Sequence, residues 1–325
     1  MRVGLLSKER ENFSLQRKFL GNDWSGVDTT PYEVAHHKRA LLELGHEVYE
    51  FEWGSHIIED LSSARVDIFF NVSSLAEAAL LEELGLKYVG SSPHSISAAT
   101  DKQMAKMMFR ESGIPTAPFY PIDVLEDCRR FFEARPFPYP AFVKPRYGRG
   151  SAGITPESVV DSDDRLINTA RRILETMGQG VLIEPFLRGR EITAGLIGNG
   201  EDLEVLPLLE IEYAQRGITL TFDKKESDND NFICPAPLDG ETAEEIIGLA
   251  RKAYRVLGFR DYGRFDTILT EEGLYFLEGN TFAGLTTTPV ENPTSYIGRM
   301  ARGRGWGGKE LIGKILQAAV RRYSL

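Results

Sequence analysis

Cysteine is scarce in this chain, which contains two in 325 residues. Cys128 and Cys234 lie far apart and in no metal-ligand spacing, so the sequence predicts neither a disulfide framework nor a cysteine metal site. Long apolar runs are missing too: no stretch of about 18 apolar residues occurs, and the start, MRVGLLSKER, is no signal peptide. These absences favour a cytoplasmic protein without a membrane partner.

Positive charge is also in deficit, since 38 Lys and Arg face 48 Asp and Glu, for a formal net charge of −10. A chain this acidic is not expected to bind nucleic acid as its main partner. Two common nucleotide-binding fingerprints are absent: no G-x-x-x-x-G-K-[ST] motif occurs, and no G-x-G-x-x-G follows the first strand. The length predicts two or three domains.

The first third of the chain alternates strand and helix patterns. Thr30-Pro31-Tyr32-Glu33 has the form of a capping box with Pro at the first helical position, and Gly45 closes that helix. A second amphipathic helix spans Leu75–Leu84. The β-rich runs are Val3–Leu6, Glu47–Trp53 and Val66–Val72. This alternation predicts a small parallel α/β domain over residues 1–97.

The rest of the chain mixes longer helices with strands. Helices are predicted at 101–112, 126–134, 161–177, 241–257 and 309–323, and strands at 141–144, 180–184, 191–197 and 203–213. The polar stretch Ala214–Asn231 is long for a connection and predicts a lid. Arg299–Gly308 is most simply a solvated turn. Lys102 and Lys106 share a helix face, and taken alone that face is most simply solvated.

The segment Arg264–Asn280 predicts a β-hairpin that turns at Glu271-Glu272-Gly273. With the turn centred on Glu272, Asp266 pairs with Glu278 and Arg264 pairs with Asn280. Asp266, Glu278 and Asn280 then present oxygen atoms on one face, which suits Mg²⁺. The alternative is an exposed hairpin with solvated charges.

A glycine-rich loop follows a strand that carries one lysine. Ala141–Lys144 is the strand, and Pro145–Gly153 reads PRYGRGSAG. Backbone N–H groups in such a loop can approach an anion closely, and Lys144, Arg146 and Arg149 add positive charge. The loop therefore predicts an anion site.

From about Thr100 to the C-terminus the chain resembles the ATP-grasp superfamily, and within it the D-alanine–D-alanine ligase family. The segments that carry the resemblance are TDKQMAKMMFRESGIPTAP, YPAFVKPRYGRGSAGI, VLIEPFLRGREITAGLIG, FICPAPLD, GFRDYGRFDTIL and FLEGNTFAGLTTTP. The resemblance implies an α/β ATP-grasp fold of three α/β domains, with ATP clamped between two antiparallel sheets. The expected domains are residues 1–97, 98–186 and 187–325.

The resemblance also implies an ATP-dependent carboxylate–amine ligase that works through an acyl phosphate, with ATP and two Mg²⁺ ions (or Mn²⁺) as cofactors. Residues expected to bind ATP are Lys102 and Lys144 at the α- and β-phosphates, Gly150, Ser151 and Ala152 over the β/γ end, Glu184, Pro185, Phe186 and Leu187 at adenine, and Glu191 at ribose. Asp266, Glu278 and Asn280 would bind the metals. The catalytic set would be Arg264, the N–H of Gly284, Ser151 and the lid residue Lys224.

Departures from the family pattern concern the substrates. Asn71–Glu77 replaces the segment whose histidine helps hold the first D-alanine, and Lys225 replaces the lid tyrosine. Pro289-Val290 aligns with the Ser-Leu pair that receives the second carboxylate, and Glu9 is a weak match for the glutamate at the first ammonium. These changes predict a different acid and amine. The alternatives are a true D-alanine–D-alanine ligase and a nucleotide-binding protein that does not ligate. Small-molecule substrates are the expected partners, with a homodimer as an option.

Overall fold

Three β-sheets organise the part of the chain that the computed structural model describes, which is residues 1–7, 30–71, 74–148, 152–212, 231–289 and 295–325. Each sheet lies within one of the three predicted segments. The exact domain boundaries stay a prediction. Within the described ranges, no helix is both long and apolar enough to cross a membrane.

The N-terminal sheet is parallel, with strand order β2-β1-β3-β4, as the alternating pattern predicted. Its strands are β1 (Arg2–Ser7), β2 (Glu47–Glu52), β3 (Ile68–Asn71) and β4 (Tyr88–Val89). Its helices are α1 (Pro31–Glu43), α2 (Ile57–Ser63), α3 (Leu75–Glu83) and α4 (Pro93–Thr100). The predicted capping box is confirmed, because the Thr30 hydroxyl accepts from the Glu33 N–H and the Glu33 carboxylate accepts from the Thr30 N–H.

The central sheet is antiparallel, with order β5-β8-β6-β7. It comprises β5 (Tyr120–Ile122), β6 (Ala141–Pro145), β7 (Val159–Val160) and β8 (Val181–Pro185), with α5 (Lys102–Glu111), α6 (Asp127–Ala134) and α7 (Asp163–Met177). Alternation along the strands separates its two faces. Val143 and Ile183 pack into an apolar core with Ile173 of α7, whereas Lys144 and Glu184 point to the opposite face.

The C-terminal sheet has the order β12-β11-β9-β13-β14, with β10 added to β9. Its strands are β9 (Arg190–Ile197), β10 (Glu204–Val205), β11 (Leu209–Glu212), β12 (Asn231–Ile233), β13 (Tyr262–Thr270) and β14 (Gly273–Asn280). The single strand predicted at 203–213 is wrong, since it divides into β10 and β11 on either side of Pro207. Proline has no N–H for the ladder, so pairing to β9 is interrupted there.

The helices α8 (Gly240–Val256), α9 (Tyr296–Gly303) and α10 (Gly308–Tyr323) pack on this sheet. So does α5, whose Phe109 ring contacts Phe265 and Phe276. The solvated turn predicted at Arg299–Gly308 is wrong over its first half, which is the end of α9. Ile297, Met300 and Ala301 are fully buried. Their spacing of three and four residues forms an apolar stripe, which the flanking arginines and glycines obscure in the sequence.

One apolar core joins the N-terminal sheet to the C-terminal helices. Leu5 and Phe70 share this core with Met300 and Ile312. A buried ion pair adds to the contact: the Arg322 guanidinium lies 2.7 Å from the carboxylate of Asp261, which also accepts the Gly90 N–H at 2.8 Å. The loop that follows β14 is part of this contact, because its Ala283 and Leu285 lie in the same core.

Candidate active site

The hairpin of β13 and β14 has the predicted register where it matters. Asp266 pairs with Glu278, and Arg264 pairs with Asn280. The turn itself is tighter than predicted, because Thr270 pairs with Gly273. A β-bulge between Asp266 and Thr267 takes up the one-residue difference and returns the pairing to the predicted register.

Four hairpin residues form one contact network. Arg264 donates two bonds to the Asp266 carboxylate, from Nε to Oδ1 at 2.9 Å and from Nη2 to Oδ2 at 2.8 Å. The Asn280 amide donates to Asp266 Oδ2 at 3.0 Å and to Glu278 Oε1 at 3.4 Å. From the neighbouring strand, Thr193 donates to Asp266 Oδ1 at 2.5 Å. The alternative of an exposed hairpin is wrong, since 13% of the Arg264 side chain and 21% of the Asp266 side chain are exposed.

This network suits a hard cation. The Asn280 amide nitrogen contacts both carboxylates, so Asp266 and Glu278 face a common position. Two carboxylates and an amide oxygen are the donor types that Mg²⁺ accepts alongside phosphate oxygens. The residues present therefore fit the predicted metals.

Arg264 and Gly284 both lie against the start of α9. The Arg264 guanidinium carbon lies 4.7 Å from the ring centroid of Tyr296. A Cβ placed on Gly284 would lie 3.0 Å from the Cβ of Ser295, the residue that caps α9. Burial opposes the charge on Arg264, but Asp266 more than offsets it, and the pKa of Arg264 is raised overall.

A buried lysine–glutamate cluster occupies the inner face of the central sheet. Lys144 Nζ lies 2.8 Å from Glu184 Oε1, and Lys106 Nζ lies 3.3 Å from the same oxygen. Burial alone would raise the pKa of Glu184, but the two ammonium groups hold it below its usual range. Burial lowers the pKa of Lys106 to about 8. The prediction of a solvated face for Lys102 and Lys106 is wrong, since both are buried.

Lys102 lies between the glycine-rich loop and β14, the strand of Glu278 and Asn280. Its ammonium donates to the carbonyl oxygen of Gly148 at 2.9 Å, and it lines a cleft that also contains Glu278 and Asn280. Burial lowers the pKa of Lys102, while the Glu278 carboxylate opposes the shift. Lys102 is therefore placed where a polyanion between the two sheets would meet it.

Other predicted charges in the glycine-rich loop have different fates. Arg146 binds Asp101 through Nε at 2.9 Å and Nη2 at 2.6 Å, so much of its charge is neutralised inside the fold. Ala152 is buried in the central core. The residues Arg149, Gly150, Ser151, Lys224, Lys225, Glu9 and Val290 lie outside the described part of the chain.

The hinge between the two antiparallel sheets runs from Glu184 to Leu187. Pro185 ends β8, and the N–H of Phe186 donates to the carbonyl of Pro140 at 2.9 Å. The N–H of Phe186 is thus used by the fold and is not available as a donor to adenine. Glu191 is half-buried near the start of β9. Most predicted site residues within the described ranges thus lie on the two antiparallel sheets and on the hinge that joins them, whereas Lys102 lies on α5 and Gly284 lies in the loop before α9.

A family model described as "D-ala D-ala ligase C-terminus" matches residues 108–317, which is well over half of the chain. The chain belongs to the D-alanine–D-alanine ligase family. Among its relatives, the D-alanine–D-alanine ligase of Maridesulfovibrio salexigens is 30% identical over 294 residues, covering 88% of this chain and 91% of that protein. That of Thermotoga petrophila is 31% identical over 291 residues, covering 87% of this chain and 89% of that protein.

Solved structures of this family have the same fold. The D-alanine–D-alanine ligase from Bacillus anthracis, complexed with ATP, has a TM-score of 0.78 at 21% identity and covers 100% of this chain and 99% of its own. VanG D-Ala:D-Ser ligase from Enterococcus faecalis has a TM-score of 0.74 at 20% identity, covering 98% of this chain and 99% of its own. The predicted α/β ATP-grasp fold is confirmed.

Sequence reasoning missed Lys106, Thr193 and Tyr296 as neighbours of the site. For Lys106 a signal existed, because it lies one helical turn after Lys102 within a segment that resembles the family. Thr193 and Tyr296 carried no local signal. Only the pairing of β9 with β13 brings Thr193 to Asp266, and only the packing of α9 brings Tyr296 to Arg264.

Proposed function

We propose that this protein is an ATP-dependent ligase that joins a carboxylic acid to an amine through an acyl phosphate. The observation that carries the proposal is the hairpin network, in which an arginine and two carboxylates lie in contact on a sheet that faces the lysines of the central sheet. A protein that only binds nucleotide has no need of an arginine beside the metal carboxylates. Membership of the ligase family supports the same reaction.

Residues of both sheets would share the nucleotide. Lys102 and Lys144 would meet the phosphates as point charges, and the backbone of Leu187 would read adenine at the hinge. Asp266, Glu278 and Asn280 would hold Mg²⁺. When bound, the metal neutralises the charge that develops as the γ-phosphoryl group is transferred.

Arg264 would act on the second half-reaction. The amine attacks the carbonyl carbon of the acyl phosphate, and the negative oxygen of the tetrahedral intermediate requires positive donors. The two bonds from Arg264 to Asp266 hold the guanidinium in one orientation, and its raised pKa keeps it charged. The N–H of Gly284, which also lies near the start of α9, would be the second donor.

The substrate pair has two candidates. D-Alanine with D-alanine is favoured by the names of the relatives at 30% and 31% identity. A different acid and amine is favoured by two residues of this chain: Asn71 is buried at the end of β3 where the family has its histidine, and Pro289 is exposed. Proline offers neither a hydroxyl nor an N–H to a substrate carboxylate.

A screen of ADP release tests the function and the substrates together. The purified protein is mixed with ATP, Mg²⁺ and either D-alanine alone or a panel of acid and amine pairs. Release with D-alanine alone supports the first pair, and release only with another pair supports the second. If neither D-alanine nor any pair releases ADP while ADP still binds, the non-ligating alternative is supported.

Two hairpin variants test the metal site. Asp266→Asn and Glu278→Gln are each expected to abolish turnover at ordinary Mg²⁺ concentrations, because each removes a charged metal ligand. Glu272→Gln, in the exposed turn of the same hairpin, is the matched control and should retain activity. Full activity in Asp266→Asn would refute the assignment. The cytoplasmic location, the homodimer and the lid role of Lys224 stay predictions.

A further inference from the structure

Lys106 is the most completely buried ammonium of the site, with none of its side chain exposed. It lies on α5, one turn after Lys102, but unlike Lys102 it has no place on the cleft lining described above. Moving an ammonium out of water is costly unless its partners compensate. Its partners therefore show what it does.

One partner, Glu184, lies on β8, which we call the nucleotide strand because it carries residues expected at adenine. Lys106 Nζ lies 3.3 Å from Oε1 of Glu184, the same oxygen that Lys144 Nζ approaches to 2.8 Å. Glu184 begins the hinge and is itself 3% exposed. A buried carboxylate between two ammonium groups has a defined position, so Lys106 helps to fix both Glu184 and Lys144.

The other partner, Thr116, connects Lys106 to β14, which we call the metal strand because it carries Glu278 and Asn280. Lys106 Nζ donates to the hydroxyl of Thr116 at 2.8 Å, and that hydroxyl donates to the carbonyl of Phe276 at 2.8 Å. Phe276 lies on β14, two residues before Glu278, and its N–H donates to the carbonyl of Pro115 at 2.8 Å. Pro115 and Thr116 thus bind the N–H and the carbonyl of Phe276, and Thr116 also binds Lys106.

We propose that Lys106 is a positioning residue that links Glu184 of the nucleotide strand to the metal strand, β14. It thereby sets the distance between the lysines and the metal ligands across the cleft. The proposal rests on the proposed function, in which one nucleotide contacts both strands. The field at Lys106 agrees with this position, since the carboxylates of Glu184 and Glu278 both oppose the lowering of its pKa by burial.

The test cuts the link at each end and measures ADP affinity by calorimetry, with EDTA and with saturating Mg²⁺. Lys106→Met keeps the length of the side chain but removes the charge, so ADP should bind at least about tenfold more weakly in both conditions, because Glu184 loses one of its two ammonium partners. Thr116→Val removes the hydroxyl that joins Lys106 to β14 but keeps the ion pair of Lys106 with Glu184. It should change affinity less than about twofold in EDTA and weaken it by about three- to tenfold with Mg²⁺.

Three further variants separate positioning from general damage. Thr116→Ser keeps the hydroxyl and should restore the affinity seen with Mg²⁺. Lys252→Met, at an exposed position on α8, is the matched control for loss of a lysine and should bind ADP as the unmodified protein does. In the double variant of Lys106 and Thr116, the loss with Mg²⁺ should be smaller than the product of the two single losses, because both changes break one link.

The outcomes distinguish this inference from the proposed function. If the unmodified protein binds no ADP, the nucleotide site itself is wrong. If it binds ADP but both single variants bind as tightly in both conditions, Lys106 contributes only to stability and the inference is overturned. If Lys106→Met does not fold, Thr116→Val with its Thr116→Ser control decides alone.

Discussion

Acidification should destabilise this protein through one buried histidine, His37 of α1. Its ring stacks on Phe70 with centroids 5.7 Å apart, and neither ring nitrogen has a hydrogen-bond partner among the described residues. Burial, with a smaller contribution from the neighbouring His36, lowers the pKa of His37 to about 3 from the ordinary 6.5. The folded protein therefore keeps this ring neutral at a pH where the unfolded chain protonates it.

The sign and size follow from the two pKa values. Below pH 6.5 the unfolded state binds a proton that the folded state does not accept until about pH 3, so stability falls as the pH is lowered through this window. Each pH unit contributes about 1.4 kcal/mol, so the loss from His37 is about 2 kcal/mol at pH 5. It approaches about 5 kcal/mol near pH 3, where the effect ends.

Urea unfolding at pH 7, 6 and 5 measures this loss. In His37→Phe an aromatic ring can still stack on Phe70 but has no site for a proton, so the difference in unfolding free energy between the unmodified protein and this variant should change by about 2 kcal/mol from pH 7 to pH 5. His36, whose pKa is also lowered by burial, is present in both proteins and cancels. His56→Phe is the control, because 77% of that side chain is exposed. A difference that stays constant with pH would refute the reasoning.

Four substitutions test the site and its support. Arg264→Met should lower kcat by roughly 10²–10³ while ADP affinity changes little, and an equal loss of ADP affinity would make Arg264 a nucleotide contact instead. Leu187→Pro removes the hinge N–H and should weaken ADP binding by about 1–3 kcal/mol in calorimetry, whereas Pro185→Ala should be nearly silent; a large loss in the latter would contradict the assignment. Gly298→Ala would place a Cβ 1.8 Å from the carbonyl oxygen of Thr286, so α9 or the loop must move, and an unchanged melting temperature would show that the contact is not tight.

Local sequence patterns predicted the parts of the site whose geometry depends on residues that are close together in the sequence. The hairpin is the best example. Strand alternation keeps Asp266 and Glu278 on one face of the sheet when the pairing of the two strands shifts by an even number of residues. Its turn was nevertheless one residue tighter than predicted. The predicted pairing at the site was nevertheless correct, because a bulge between Asp266 and Thr267 shifts the register by one residue. No residue of the turn predicts that bulge.

Burial was harder to predict than secondary structure. A helix face with Lys102 and Lys106 has the composition of a solvated face, and α9 has enough arginine and glycine to hide its apolar stripe. Whether a lysine is solvated depends on what packs against it from distant parts of the chain. Here a carboxylate from β8 and a hydroxyl from the segment before β5 supply its partners.

The sequence by itself determined the family, most of the longer helices and strands and the chemical types at the site, because motifs, caps and alternation are properties of neighbouring residues. Tertiary structure alone decided which charges meet: Asp101 takes up Arg146, Thr193 reaches Asp266, and the Glu184 carboxylate lies between two buried lysines. The physical reason is that the free energy of a charge depends on its exposure and on its partners within a few ångströms, and the folded chain brings those partners from far along the sequence.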